Sequence, residues 1–282
     1  MFKLIIILVL PEYDIDYIVD HIKYDSNCSF PDLENNWKST TNYRLNEMKH
    51  FSSTSEIIKN WNSYTLPLGY RLVDIDFHTL YPNCSSLLNT FENKFENIVK
   101  LLDEKLKDST NRRLFETLKD GVSIINQNGK NTVLLYLLPT ILVPTARKIT
   151  KDHNGMKCQI KYSIKDSQNS FMTFKDSVAE IEEHIVMRQN EKNPIQPFII
   201  IVGIPTNPKE IIVFFDCIKY KLFTIVSAVD VCFKLFHLFN LEYPCESCVV
   251  WLFIQKYFYS LTTNFDKSFH TLGQILSDLN SK

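Results

Sequence analysis

The chain has 282 residues, of which 45% are hydrophobic and 22% are charged, and its formal net charge is −1. This composition is that of an ordinary globular protein and excludes a disordered or fibrous chain. Because the charges nearly balance, the protein as a whole has no net positive charge that would attract it to nucleic acid or to anionic membranes. No apolar run approaches about 18 residues without a charge, so no membrane-spanning helix is predicted.

The first apolar segment, residues 4–10 after Lys3, resembles the core of a short signal peptide. Two glycosylation sequons, Asn27-Cys28-Ser29 and Asn83-Cys84-Ser85, agree with secretion as an alternative. No small-residue cleavage site follows the segment, however, because Pro11 comes next. We interpret the segment as a buried strand, or as a gene start that arose within a longer ancestral chain. The seven cysteines are odd in number and scattered, which favours reduced thiols. We therefore expect an intracellular protein, either cytoplasmic or nuclear.

The first half of the chain divides into two predicted regions. Residues 1–60 have weak periodicity and are expected to be loosely organised. Residues 61–144 are predicted to form a mainly helical subdomain, because 85–106 and 111–125 carry apolar residues at helical spacing. Within this subdomain, residues 71–78 alternate in character and predict a strand.

Residues 145–282 are predicted to form an α+β subdomain, or one domain together with 61–144, after a bend at Pro139 and Pro144. A polar connection over 145–170 and a helix over 174–189 come first. Apolar runs between turn residues then predict a small sheet, with strands near 198–202, 211–215 and 219–224. Helices over 225–241, 246–261 and 265–279 follow. The predicted fold class is therefore helix-rich α+β, with this sheet packed against the C-terminal helices and a helical region before it.

Asp74, Asp76 and His78 form the first candidate site. On a strand, alternation would place both carboxylates and the imidazole on one face. Paired acids of this kind can hold a divalent cation for phosphoryl transfer, so a metal site is one interpretation. The other is the solvated face of an amphipathic edge strand.

Cys245 and Cys248 form the second candidate site, since two thiols at this spacing can bind zinc or form a redox pair. Tetrahedral zinc needs further ligands, and Cys232 and His237 would have to supply them. On one helix, these two residues would point about 140° apart around its axis. Structural thiols are therefore the alternative to zinc and to redox chemistry.

The densest group of cations is the third candidate, a nucleic-acid-binding surface. It is interrupted by Asp152 and Asp166, and its members are Arg147, Lys148, Lys151, Lys157, Lys161 and Lys165. Binding to a phosphate backbone needs several cations that converge, which spacing along the chain cannot show. A solvated loop or edge is the alternative.

Motifs for covalent catalysis and for cofactor binding are missing from the sequence. It contains no G-x-S-x-G, no Walker sequence and no H-E-x-x-H, and Gly203 alone after an apolar run is too little for a dinucleotide fingerprint. We therefore assign no catalytic residue and no cofactor.

Several segments of the second half resemble a group of uncharacterised, multicopy animal proteins, some of them associated with mobile elements. These segments begin at Glu183 (EHIVMR), Pro197 (PFIIIVG), Ile211 (IIVFFD), Val229 (VDVCFKLFHLFNLEYP) and Val250 (VWLFIQKYF). The group has no established activity to carry over. The resemblance implies kinship and favours a nuclear or nucleic-acid-linked role more than net charge does.

The leading hypothesis from the sequence is a non-enzymatic interaction protein with an unidentified protein partner and no membrane association. A nucleic-acid-binding protein derived from a mobile element is the first alternative. The second is a metal-dependent phosphoryl-transfer enzyme that uses Asp74 and Asp76.

Overall fold

The computed structural model describes residues 12–25, 27–119, 125–151, 156–190 and 196–280. The chain divides into two compact units, with the boundary between Pro82 and Asn83. The sequence suggested a boundary near residue 60 and left open whether 61–144 and 145–282 form one domain or two. The predicted helix-rich α+β class is confirmed. The signal-like segment 4–10 and Asp152 lie outside the described residues.

Helices build the described part of the first unit. They are α1 (Glu12–Tyr24), α2 (Phe30–Ser39), α3 (Thr41–Met48), α4 (Thr54–Asn60), a 3-10 helix (Asn62–Thr65) and α5 (Tyr70–Leu80). The expected loose organisation of residues 1–60 is therefore wrong for its described part. Isolated aromatic residues, which gave no periodic signal, supply the core here, because Trp37 is fully buried against Trp61 and Tyr64.

The predicted strand over residues 71–78 is also wrong, since these residues belong to α5. The buried positions of α5 are Leu72, Val73, Asp76 and Phe77, which recur at helical spacing. An alternating pattern arises in the sequence only when Asp76 is counted as a solvent-facing residue. Asp76 in fact lies in the core, so a pattern that treats every polar residue as exposed predicts a strand where the chain forms a helix.

The second unit contains the remaining elements. Its helices are α6 (Leu87–Lys105), α7 (Ser109–Glu116), α8 (Gln127–Ile141), α9 (Ile164–Phe171), α10 (Val178–Gln189), α11 (Ile225–Leu238), α12 (Cys248–Tyr257) and α13 (His270–Asn280). Its strands are β1 (Arg147–Lys151), β2 (Lys157–Lys161), β3 (Met172–Lys175), β4 (Phe198–Ile204), β5 (Asn207–Phe215) and β6 (Ile218–Leu222). Helix α8 continues through Pro139, where a bend was expected. Part of the helix predicted over 111–125 falls on residues 120–124, outside the described chain.

The central sheet has the order β3-β4-β5-β6, in which β3 is parallel to β4 and the other pairs are antiparallel. One face of the sheet carries Phe198, Ile200 and Ile212 and packs against Ile181 and Ile185 of α10. Alternate residues of β4 and β5 face the other way, where α8 and α11 cover them. Burial on both faces explains why the strands β4 and β5 are continuous apolar runs in the sequence.

Three strands were missed in the sequence. Strands β1 and β2 form a separate antiparallel hairpin inside the segment expected to be a polar connection, and the end of β3 overlaps the start of the helix expected over 174–189. Their residues are mostly polar or only partly buried, so no apolar pattern marks them. Within the described residues, no helix is both long enough and apolar enough to cross a membrane.

Candidate nucleic-acid interface

In the first candidate site, the structure separates Asp76 from Asp74 and His78. Asp76 is fully buried, whereas the side chains of Asp74 and His78 are 48% and 41% exposed one turn apart on α5, with His78 Nε2 3.4 Å from Asp74 Oδ1. Residues two apart on a helix point about 200° apart around its axis, so the two carboxylates cannot share a face. The predicted convergence of Asp74, Asp76 and His78 is therefore not present.

Asp76 is instead the centre of a buried hydrogen-bond network. Its Oδ2 accepts from Trp37 Nε1 at 2.8 Å and from Tyr64 OH at 2.6 Å, and its Oδ1 accepts from the Arg44 guanidinium. Arg44 is fully buried as well and also donates to the Trp37 carbonyl oxygen at 2.5 Å. Burial raises the pKa of Asp76, and the Arg44 charge with the two neutral donors opposes that rise. This carboxylate links α5 to α2, α3 and the 3-10 helix, and donors from the protein occupy both of its oxygens.

The two cysteines of the second candidate site differ in exposure, and the other two proposed zinc ligands lie on α11. Cys245 is exposed and Cys248 is half-buried at the start of α12, and burial raises the pKa of the Cys248 thiol. Cys232 is fully buried on α11 as a free thiol. Among the described residues, no three His, Cys, Asp or Glu side chains are arranged to hold a metal ion.

A second buried polar network lies in the second unit and uses α11. Lys234 Nζ lies 2.6 Å from Asp230 Oδ2, and Tyr259 OH donates to Asp230 Oδ1 at 2.6 Å. One turn further, His237 Nε2 is 2.8 Å from Tyr243 OH. In the sequence, Asp230, Lys234 and His237 are polar positions within the otherwise apolar segment 225–241. Because Asp230 and Lys234 are almost completely buried, we interpret the pair as a structural ion pair.

The basic cluster behaves differently, because the structure brings most of it together on one hairpin. The antiparallel register places Arg147 opposite Lys161 and Lys151 opposite Lys157. Arg147, Lys157 and Lys161 are exposed, and within the described residues none of the three forms an ion pair. Like charges directly across an antiparallel pair are unfavourable. Among the described residues, no acidic partner neutralises these three cations, so their charge is available to an external anion.

Two other members of the predicted cluster have partners within the protein. Lys148 Nζ lies 3.2 Å from Asp166 Oδ1, and Lys165 Nζ donates to Tyr136 OH at 2.7 Å. Lys148 thus ties the base of the hairpin to α9 and is less available to a ligand. Of the six predicted cations, Arg147, Lys157 and Lys161 are thus the exposed ones for which the described residues provide no partner.

Exposed apolar side chains accompany these cations. Ile149 on β1 is 69% exposed, Ile160 on β2 is 49% exposed, and Met156 just before β2 is 62% exposed. A two-stranded ribbon has the dimensions to enter the major groove of duplex DNA, and apolar side chains beside cations can contact bases. Lysines on an exposed ribbon also prevent edge-to-edge pairing between proteins, which is the non-functional interpretation.

Comparison of the chain with protein-family models, with curated proteins and with solved structures gives no match in any of the three. The function is therefore inferred from the residues of this chain.

Proposed function

We propose that this protein is a non-enzymatic nucleic-acid-binding protein that holds the phosphate backbone with the β1–β2 hairpin. One observation carries the proposal, namely the three exposed cations Arg147, Lys157 and Lys161, which have no carboxylate partner in the described chain. Elsewhere in the second unit, exposed cations such as Lys105, Lys119 and Lys219 do pair with acidic side chains. The hairpin thus places three exposed cations, none with an ion pair among the described residues, on one two-stranded ribbon in a protein whose net charge is −1.

The binding mode follows from the residues available. Lysine and arginine side chains on an exposed ribbon contact phosphates and position a protein on nucleic acid, while sequence is read by contacts to base edges. The resemblance of the second half to uncharacterised multicopy animal proteins, some of them associated with mobile elements, points in the same direction and remains a prediction. The phosphoryl-transfer alternative gains no support, because Asp76 is engaged in the core.

Salt-dependent titration tests the proposal. Fluorescence anisotropy with labelled single-stranded and duplex oligonucleotides should show binding that weakens as salt is raised. If three phosphates are neutralised, the slope of log affinity against log salt should be about −2 to −3. The variant Arg147→Gln/Lys157→Gln/Lys161→Gln should lose at least about tenfold in affinity at low salt and most of this slope.

A matched control separates the hairpin from net charge. Lys107, Arg113 and Lys209 are exposed residues of the same unit, outside the hairpin. The variant Lys107→Gln/Arg113→Gln/Lys209→Gln also removes two lysines and one arginine, so its net charge equals that of the hairpin variant. It should bind nearly as well as the unchanged protein. Equal losses in the two variants, or no salt-dependent binding by the unchanged protein, would refute the proposal.

A further inference from the structure

A surface pocket of about 330 Å³ lies where the two parallel strands of the central sheet end. Strand β3 ends here with Phe174 and Lys175, and β4 ends with Gly203 and Ile204. The crossover helix α10 begins beside it. Ligands of α/β proteins bind at the carboxyl ends of parallel strands, and the volume is at the small end of the range for ligand pockets. The pocket is therefore of a size and in a place suited to one small ligand.

The wall of the pocket contains two aromatic rings and a lysine in fixed contact. Tyr136 and Phe174 meet edge to face, with ring centroids 5.3 Å apart and an interplanar angle of 89°. Lys165 Nζ donates to Tyr136 OH at 2.7 Å, and this hydrogen bond keeps the positive charge of Lys165 beside the two rings. Ile204, which is 57% exposed, adds an apolar lip. A planar, partly apolar ligand that carries a negative charge fits this wall.

Hydrogen-bond acceptors lie at the entrance to α10. Asp176 and Glu180 both line the pocket, and Glu180 Oε2 accepts from the Asp176 backbone amide at 3.4 Å. The Ser177 side chain caps the helix by accepting from the Glu180 amide at 3.3 Å. The Glu180 carboxylate is thus held at the pocket beside Asp176, and both side chains can accept hydrogen bonds from ligand amino groups.

Helix α9 joins this pocket to the basic hairpin. Its N-cap, Ser163, follows β2 after a single residue, and Asp166 binds Lys148 of β1. Lys165 and Asn169, one turn apart on the same helix, line the pocket. The pocket residue Lys165 thus follows the hairpin residue Lys161 closely along the chain, so the hairpin and the pocket adjoin through the first turn of α9.

We propose that the pocket accepts one unpaired nucleobase of the strand that the hairpin binds. This inference rests on the proposed function and specifies its substrate as single-stranded nucleic acid. The base lies against the aromatic wall, its phosphate contacts Lys165 or Lys175, and its amino group donates to Glu180 or Asp176. Stacking alone would accept any base, but acceptors at the base edge favour cytosine and adenine, which carry exocyclic amino groups, over thymine and uracil.

The test compares oligo(dC) with oligo(dT), and oligo(rC) with oligo(rU), of equal length at neutral pH. The unchanged protein should bind the cytosine polymers about tenfold more tightly than their partners, and either single strand more tightly than a duplex. The DNA and RNA arms show which sugar the site accepts. The variant Asp176→Asn/Glu180→Gln should bring the ratio of the two affinities close to one while binding remains salt-dependent. The ratio is the deciding measurement, since removing two negative charges strengthens binding to every polyanion.

Two further variants keep this test interpretable. Glu182→Gln/Glu183→Gln removes the same charge from exposed positions of α10 and should leave the preference intact. Phe174→Ala should weaken single-strand binding about tenfold and reduce the advantage over duplex. Equal affinities for the two polymers in the unchanged protein, or a preference that survives Asp176→Asn/Glu180→Gln, would overturn the pocket inference and leave the hairpin proposal standing. Absence of binding to every polymer would overturn both.

Discussion

The Arg44 guanidinium lies directly against the Asp76 carboxylate, and both side chains are fully buried. Thirty-two residues separate them in the sequence, and α3 and α5 bring them together. Trp37 and Tyr64 complete the set of donors around the carboxylate. A buried charge pair of this kind is costly to form, but removal of one partner costs more because the other charge is left without compensation.

Asp76→Ala should lower the free energy of unfolding by about 3–5 kcal/mol, since it leaves the Arg44 charge buried without a counter-ion. Asp74→Ala should change it by less than about 1 kcal/mol, because the Asp74 side chain is half-exposed on the same helix. Urea unfolding followed by circular dichroism measures both values. Similar effects of the two substitutions would contradict the buried network.

Gly203→Ala should destabilise the protein by about 1–3 kcal/mol. Gly203 has a φ of 111°, which side chains rarely adopt, and an added Cβ would lie 2.5 Å from the Asn207 carbonyl oxygen. Gly273→Ala is the matched control, since its Cβ would meet no atom within 4 Å and α13 should gain up to about 1 kcal/mol from the better helix former. Thermal unfolding of the two variants should shift in opposite directions.

His237 should make the protein less stable as the pH falls from about 6.5 toward 4. Burial lowers the pKa of His237 to about 4, against the opposing charge of Asp266, while the unfolded chain keeps the ordinary value of about 6.5. Between these values the unfolded state binds the extra proton, so stability is complete above the higher pKa and declines below it. The expected loss is about 2–3 kcal/mol by pH 4.

Unfolding of His237→Gln at a series of pH values measures this contribution. The variant should show a weaker pH dependence than the unchanged protein over this range. His184, whose pKa burial also lowers to about 4, contributes in the same direction, so the difference between variant and unchanged protein is the quantity to compare. Identical pH profiles would show that His237 is already accessible to protons in the folded protein.

Alkylation of the native protein should modify Cys245 before Cys232 and Cys248. Cys245 is exposed, whereas burial raises the pKa of Cys232 and Cys248 and lowers their thiolate fraction. Mass spectrometry of peptides after timed treatment with iodoacetamide gives the order of reaction. Rapid, simultaneous modification of Cys245 and Cys248 would indicate a reactive dithiol, and stoichiometric zinc by elemental analysis would restore the metal-site interpretation.

Much of the fold of the second unit could be predicted from its residues. The runs at 198–202 and 211–215 are apolar because both faces of β4 and β5 are covered, and α6 has the periodicity of a helix buried on one side. These patterns predicted the α+β class, and the composition excluded a fibrous or disordered chain. The six cations of the basic cluster are also evident in the sequence, where they lie close together along the chain.

The tertiary structure decided which polar residues lie inside and which cations lie side by side. Asp76 looks like a surface acid in the sequence because its partners, Arg44, Trp37 and Tyr64, are distant along the chain. The strands β1 and β2 carry no apolar pattern, so only their hydrogen-bonded register shows that Arg147 stands opposite Lys161. Local spacing reports local structure, whereas burial of a charge and the meeting of two charges depend on contacts that the folded chain makes over long separations.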